Sequence, residues 1–260
     1  MISKSAIIGN NLVIGNNSKI GAYAIIGNDV KIGDNCEIEE FAKICDGAII
    51  GNNCRICSYT SIAGDPQDLG FDRNIKSSVI IGDNTVVREN STIHRSTKAG
   101  ENTIIGKNCF LMASMHIGHD CQVADNVIIA PFVALGGFAS IGEHSFISGG
   151  VMIHQHVRIG EGVMASGNAG LSEDIPPFVN AYLRNGVRGL NLVGLKRRNF
   201  PKEDILNLKT LYNFVFKQSL SVKAKAKEAR ALNLDNTPSG KKFLDFILEE
   251  GRKIACHTTK

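Results

Sequence analysis

The chain has 260 residues, room for one large domain or two smaller ones, and carries 29 Lys and Arg against 25 Asp and Glu, a net charge of only +4. It lacks an apolar run of about 18 residues, and "MISKSAIIGNN" has neither a long apolar stretch nor a small-residue cleavage site, which argues against a membrane span and a secretory signal. Seven cysteines, six of them inside a repeat, fit reduced thiols in a cytoplasmic protein. Charge is unevenly placed: residues 1–190 hold 14 Lys and Arg against 18 Asp and Glu, whereas 191–260 hold 15 against 7. Of 27 glycines, 24 lie before residue 191. Two regions of different physics are expected, 1–190 and 191–260.

The first region repeats with a period of six. Aliphatic residues fall at Ile8, Ile14, Ile20, Ile26 and onwards to Ile62, then at Ile81, Val87 and Ile93, then from Ile105 through Ile117, Leu135 and Ile153 to Ile159. A small or polar residue follows each aliphatic, often Gly, as at Gly9, Gly15 and Gly21. Another short residue comes three places later: Ser18, Ala24, Cys36, Cys54. This is the hexapeptide signature of a β-helix. Each hexad is a short strand and a turn, with the aliphatic pointing inward and the Gly or Asn after it turning the corner. Three hexads make a triangular coil, so positions 18 apart stack at the roughly 4.8 Å spacing of a sheet. Neighbouring coils then bury one another's faces. The chain resembles hexapeptide-repeat proteins in this, and the resemblance implies a left-handed parallel β-helix, a mainly β fold.

The register breaks between Ile62 and Ile81. "AGDPQDLGFDRNIKSS" (63–78) must leave the prism, and "HRSTKAGEN" (94–102), which lacks its aliphatic, leaves it as well. Loops extruded from a rigid frame commonly carry function. After "DIPPF" (174–178) the repeat ends, because two prolines do not suit a sheet interior. Ile205, Leu208, Leu211, Tyr212 and Val215 then recur at helical spacing, and Phe243, Phe246 and Ile247 do so again after a break at Pro238–Gly240. A small, basic, α-helical domain is expected over 191–260.

"CRIC" (54–57) has the spacing of a metal motif. Packing explains it better: Cys36, Cys54, Cys109 and Cys121 occupy the small-residue slot, and Cys45 and Cys57 the slot after the aliphatic. "HIGHDC" (116–121) is different. His116 and His119 avoid the aliphatic slots and are expected to face outward. His119 lies one rung below Gly137, which has room for a ligand and an exposed backbone N–H. A base beside a bare N–H is a workable acyl-transfer site, and Asp120 is placed to fix the imidazole tautomer. A solvated surface histidine is the plainer reading.

"HIGHDC", with "PQDL" (66–69), "IHR" (93–95), "IHQ" (153–155), "DIPP" and "GLKRR" (194–198), resembles the UDP-N-acetylglucosamine O-acyltransferases of lipid A biosynthesis over the whole chain. The resemblance implies a homotrimer with sites in clefts between prisms. There an (R)-3-hydroxyacyl group passes from the phosphopantetheine of acyl carrier protein to the sugar 3-hydroxyl, with no bound cofactor or metal. It implies His119 as general base, Asp120 as its orienting partner and Gly137 as oxyanion donor. It further implies substrate contacts at Gln67, Asp68, His116, His154 and Gln155, and nucleotide contacts at Asn191, Arg197 and Arg198. Gly149, Met164 and Gly167 are expected along the acyl-chain groove, on the rungs above the base.

Three positions depart from the family pattern: Gly70 in place of Lys, Phe138 in place of His, and Val193 in place of an acidic residue. They are expected on the acceptor or acyl side, and they keep a 3-amino analogue of the sugar open as acceptor. A zinc lyase of the hexapeptide carbonic-anhydrase type, using His94, His116 and His119 between subunits, and a trimeric scaffold are the other classes. The lyase gives "GLKRR" and the basic helices no role, and the scaffold needs neither the extruded loops nor the clustered histidines. The +8 segment suits an acidic carrier protein, and it lacks the stacking pattern of a nucleic-acid binder.

Overall fold

From Ile20 onward each repeat aliphatic is buried in a short strand, mostly of two residues, behind a more exposed partner, as in Lys19–Ile20, Ile25–Ile26 and Lys31–Ile32. In the computed structural model, which describes residues 1–217 and 221–257, these strands stack into sheets of nine, eight and eleven strands. Partners sit one coil apart: Ile26 with Ile44, Ile44 with Ile62, Ile117 with Leu135 and Leu135 with Ile153. The result is a left-handed parallel β-helix whose core is a column of aliphatic side chains. Cys36, Cys54, Cys109 and Cys121 are buried in that core among Ala and Val, as their slot requires.

The corners share one backbone solution. The third turn residue has positive φ, for example Asn17 (59°), Asn35 (55°) and Asn53 (55°), a region Asn tolerates well. These asparagines form a ladder, with Asn17 Nδ2 donating to Asn35 Oδ1 at 3.3 Å and Asn35 Nδ2 to Asn53 Oδ1 at 3.2 Å. The glycine after the aliphatic serves a different need from the one expected. A Cβ on Gly9 would stand 2.6 Å from the carbonyl carbon of Gly27, so glycine there permits close stacking while the left-handed residue lies two places later. At the second turn position the N–H donates to a side-chain oxygen one coil on. Asn16 donates to Asp34 at 2.6 Å and Lys107 to Asp125 at 2.7 Å.

The two long insertions leave and rejoin the prism at one corner. Ser61–Gly64 and Ser78–Ile81 flank the first, and Thr92–His94 and Asn102–Ile105 flank the second, with Ile62 stacked on Ile93. The loops interlock. Gly100 N–H donates to Lys76 O at 2.9 Å, and Ser77 Oγ to Ser96 O at 2.5 Å. Arg95 binds Asp65 and the Arg73 and Ile75 carbonyls, and its guanidinium lies 4.7 Å from the Phe71 ring centre.

Beyond "DIPPF" the sheet goes on for two strands. Val179–Tyr182 runs parallel to Met164–Ala165, and Gly186–Leu190 returns antiparallel. Among the described residues four helices follow: α1 (Leu192–Arg197), α2 (Lys202–Phe216), α3 (Val222–Ala231) and α4 (Pro238–Leu248). Leu208, Leu211, Tyr212 and Val215 of α2 are buried with Phe243, Leu244 and Ile247 of α4. The segment 191–260 is not wholly helical. Cys256–His257 adds a strand beside Gly186–Leu190, so the chain's last described residues return to the prism sheet. Residues 218–220 and 258–260 of that segment lie outside the described residues. Among the described residues no helix is long and apolar enough to cross a membrane.

Candidate active site

Ile62, Ile93, Ile117, Leu135 and Ile153 form one column of the nine-stranded sheet. After each, the chain turns the same corner. The first two corners are the long loops; the next three carry His119–Asp120, Gly137–Phe138 and Gln155–His156. One edge of the prism thereby gathers residues spread over nearly a hundred positions of sequence.

Beside this edge lies a cleft of about 740 Å³. His119, His116, His94 and Gln67 form one wall, and Gly137, His154 and Gln155 continue it. Ala134, Met152 and Gly170, outward residues of successive strands, make the floor. His119 Nδ1 lies 2.7 Å from Asp120 Oδ2. That carboxylate accepts from the Ser96 hydroxyl and from Thr97 N–H and Oγ1 at 3.1 and 2.7 Å. Burial pushes the Asp120 carboxyl up, but the bonds from Ser96, His119 and Thr97 outweigh it and hold it below its ordinary value. An ionised Asp120 keeps the imidazole proton on Nδ1 and leaves Nε2 as the free basic nitrogen.

The ring of His119 occupies the space over Gly137: a Cβ there would stand 2.5 Å from Nε2. Gly137 also interrupts the corner ladder, since it has no side chain to accept the His119 N–H as Asp34 accepts that of Asn16. Among the described residues the Gly137 N–H itself has no hydrogen-bond partner. His94 and His116 meet edge to face with ring centres 4.8 Å apart, and Thr92 Oγ1 lies 2.8 Å from His116 Nδ1. Burial, then the charges of His116 and His119, lower His94 to about 4; burial and His119 lower His116 too. Both are neutral at pH 7. Among the described residues the buried His94 Nδ1 has no hydrogen-bond partner.

Of the residues singled out in the sequence, Gln67, His116, His119, Gly137, His154 and Gln155 come together, with Asp120 directly behind. The rest do not join them within one chain. Asp68 is exposed and accepts from its own loop, from Gly70 N–H at 2.8 Å. Asn191 caps α1, accepting from Gly194 N–H at 2.9 Å and donating to Gly162 O at 3.0 Å. Arg198 pairs with Glu161, and Arg197 is exposed. Gly149, Gly167 and Met164 lie beyond Gly137 along the prism, but not at the corner that carries the base. Gly149 and Gly167 stack one coil apart at the corner that follows the eleven-stranded sheet, above Pro131, and Met164 is on that sheet. The reason is arithmetic: Gly149 and Gly167 are offset from Gly137 by multiples of six but not of eighteen, and Met164 is the outward residue of the strand between them. Phe138 also departs from expectation. It lines a smaller cavity behind the base, edge-on to His119 at 5.2 Å and stacked on His156 at 4.7 Å. Val193 is exposed on α1, and Gly70 on the first loop. His94, outside the acyl-transfer set, lines the cleft, and the stacking of Ile93 beneath Ile117 is its signal in the sequence; Ser96 and Thr97 belong to an insertion that the repeat does not place. Among the described residues no three His, Cys, Asp or Glu side chains are grouped to hold a metal.

The prism, its hexapeptide corners and the His119–Asp120–Gly137 arrangement define a hexapeptide-type transferase. The bacterial transferase hexapeptide model matches residues 11–46, 29–64 and 102–137, and the model for domain 2 of UDP-N-acetylglucosamine O-acyltransferase matches 174–255. The UDP-N-acetylglucosamine acyltransferase from Campylobacter jejuni is 37% identical, superposes with a TM-score of 0.92, and aligns over 99% of this chain and 100% of its own. That from Bacteroides fragilis is 35% identical with a TM-score of 0.92, over 98% and 99%. The chain belongs to the UDP-N-acetylglucosamine O-acyltransferase family. A curated relative, the acyl-[acyl-carrier-protein]--UDP-N-acetylglucosamine O-acyltransferase of Fusobacterium nucleatum, is 40% identical over 90 residues, 34% of this chain. The matched stretch spans about a third (35%) of that relative's length.

Proposed function

We propose that this chain transfers an (R)-3-hydroxyacyl group from the phosphopantetheine thioester of acyl carrier protein to the 3-position of UDP-N-acetylglucosamine, the first step of lipid A biosynthesis. His119 Nε2 takes the proton of the sugar 3-hydroxyl as its oxygen attacks the thioester carbonyl carbon. The Gly137 N–H donates to the oxyanion so formed. Collapse breaks the carbon–sulfur bond, and the thiolate leaves with the proton from His119. Product is the 3-O-acyl sugar and free carrier thiol. All of this uses side chains and backbone of the protein alone, with no bound cofactor. The observation that carries the reading is the His119–Asp120 pair seated over the unpartnered N–H of Gly137.

The assembly we read is a homotrimer. Phe132, Phe146 and Met152 expose 67%, 39% and 54% of their surface about the corner that bears Gly149 and Gly167. A second prism would cover that corner and bring it to a neighbour's His119, which places the acyl groove between subunits. The excess of cations in 191–260 suits an acidic carrier protein. Asp68, Asn191, Arg197 and Arg198 then bind the sugar nucleotide from the loop and helix that carry them. Seven free cysteines fit a reducing, cytoplasmic setting.

The test is thioester release from a hydroxyacyl carrier protein, parent against His119→Ala, with the 3-hydroxy and the 3-amino sugar nucleotide as acceptors. The reading expects a loss of about 10²–10⁴-fold in the variant and an ester product. Near-parental turnover of His119→Ala removes the base. An amide made in preference to the ester moves the acceptor to the amino sugar.

A further inference from the structure

The loop at 94–102 ends in a clamp on a single carboxylate. Ser96 is fully buried, and its hydroxyl donates to Asp120 Oδ1. Thr97 donates twice to Oδ2, from its hydroxyl at 2.7 Å and its N–H at 3.1 Å. The Asp120 N–H donates to Thr103 Oγ1 at 2.8 Å, where the chain re-enters the prism. A corner aspartate needs none of this. Asp29, at the same turn position with φ 57°, accepts from Asn11 Nδ2 at 2.9 Å on the plain ladder. Ser96 is itself pinned by Ser77, so the clamp is tied to the loop that carries Gln67.

We infer that Ser96 and Thr97 are positioning residues for the transfer: their hydroxyls lock Asp120 in the orientation that fixes the His119 tautomer and turns Nε2 to the cleft. The inference rests on His119 being the base. Neither residue lines the cleft, so neither touches substrate; they act through Asp120. The titratable and charged groups around the pair are His94, His116, His154 and Arg184 in the cleft, and Lys98, Glu101, His156 and Arg158 in the cavity behind Asp120.

Thr97→Val deletes one hydroxyl with the shape kept, Ser96→Ala deletes the other, and Thr97→Ser restores the first. A hydrogen bond to a charged group is strong enough for kcat to fall roughly tenfold or more per hydroxyl lost. KM for both substrates stays parental. The acidic limb of kcat/KM moves to higher pH, because a carboxylate with fewer donors attracts the imidazolium more strongly. Thr97→Ser returns to the parental profile. A folded Thr97→Val that keeps parental kcat and pH limb overturns the assignment. Should Ser96→Ala fail to fold, Thr97→Val decides alone, since Thr97 is only half-buried. His119→Ala, assayed beside them, separates two failures. If it stays active the base is wrong; if it is dead while both hydroxyl variants are unaffected, only the clamp is wrong.

Discussion

The imidazole of His119 lies where a side chain on Gly137 would have to be: a methyl group there would stand 2.5 Å from Nε2 and 3.0 Å from Nδ1. Gly137→Ala therefore displaces the base rather than the fold, because the ring is the part free to move. The expected outcome is a kcat reduced by about 10²-fold or more, as for loss of a base or an oxyanion donor, with an unfolding midpoint near the parent's. Parental turnover in Gly137→Ala would show that the ring and the backbone do not act together.

The proposed transfer draws only on an imidazole, a carboxylate and a backbone N–H. Dialysis against a strong chelator should leave kcat unchanged. Turnover lost to the chelator and restored by zinc would return His94, His116 and His119 to the role of metal ligands supplied by different subunits.

Acid should destabilise the fold before the carboxylates titrate. His94 is held neutral, lowered from 6.5 to about 4 by burial first and by His116 and His119 second. In the unfolded chain the same ring binds its proton near its ordinary value, so the unfolded state gains protons as pH drops from 6.5 towards 4. Stability present above pH 6.5 is lost through that window, by an amount on the order of 3 kcal/mol. Lowered His116 acts in the same direction. Thermal unfolding followed from pH 8 to 4 should show a steeper fall for the parent than for His94→Gln. Equal slopes would mean that the ring titrates alike in both states.

Asp174 is 0% exposed and accepts from the N–H and the Nε of Arg158, both at 2.8 Å. Its backbone holds the C-terminal segment, pairing with Lys253 O and Ala255 N–H. Asp174→Ala leaves a partly buried guanidinium without its main partner, and should cost about 3–5 kcal/mol. Urea unfolding measures it. A loss below about 1 kcal/mol, the worth of a surface pair, would mean that Glu249 and solvent replace the carboxylate.

A side chain on Gly167 meets only the Gly149 carbonyl oxygen, at 3.4 Å, and the residue is exposed. Gly167→Met should thus fold normally and narrow the groove proposed between subunits. Each methylene of acyl chain is worth about 0.8 kcal/mol, so preference should shift to shorter hydroxyacyl donors by several-fold per carbon. The readout is kcat/KM over a series of carrier proteins of increasing chain length. An unchanged profile would put the chain elsewhere.

The period of six was enough to determine the prism. Every aliphatic from Ile20 to Ile159 had one inward slot, and a strand slipped by one residue would turn its whole set outward. The stacking of His119 under Gly137 followed from the same arithmetic, because eighteen residues close one coil. The helix at 202–216 was legible from its apolar spacing, and that at 238–248 only from Phe243 onward: Pro238–Gly240, expected as a break, is its first turn, because proline suits the first helical position and Thr237 caps it. Helix Val222–Ala231, "VKAKAKEARA", was not, since alanine and lysine stems supply its buried face.

What the repeat cannot encode is whatever departs from it. The return of Cys256–His257 to the sheet depends on how four helices pack, a matter of distant contacts. The clamp of Ser96 and Thr97 on Asp120 depends on where an insertion without periodicity comes to rest. Asn191 and Arg198 are engaged by Gly162 and Glu161, residues about thirty positions away that only the folded corner brings near. The sequence by itself determined the coil, its register and the rung of the base, because those follow from local periodicity. Only the tertiary structure decided which groups orient that base and where the last strand returns, because loop excursions and helix packing are set by contacts between segments far apart in the chain.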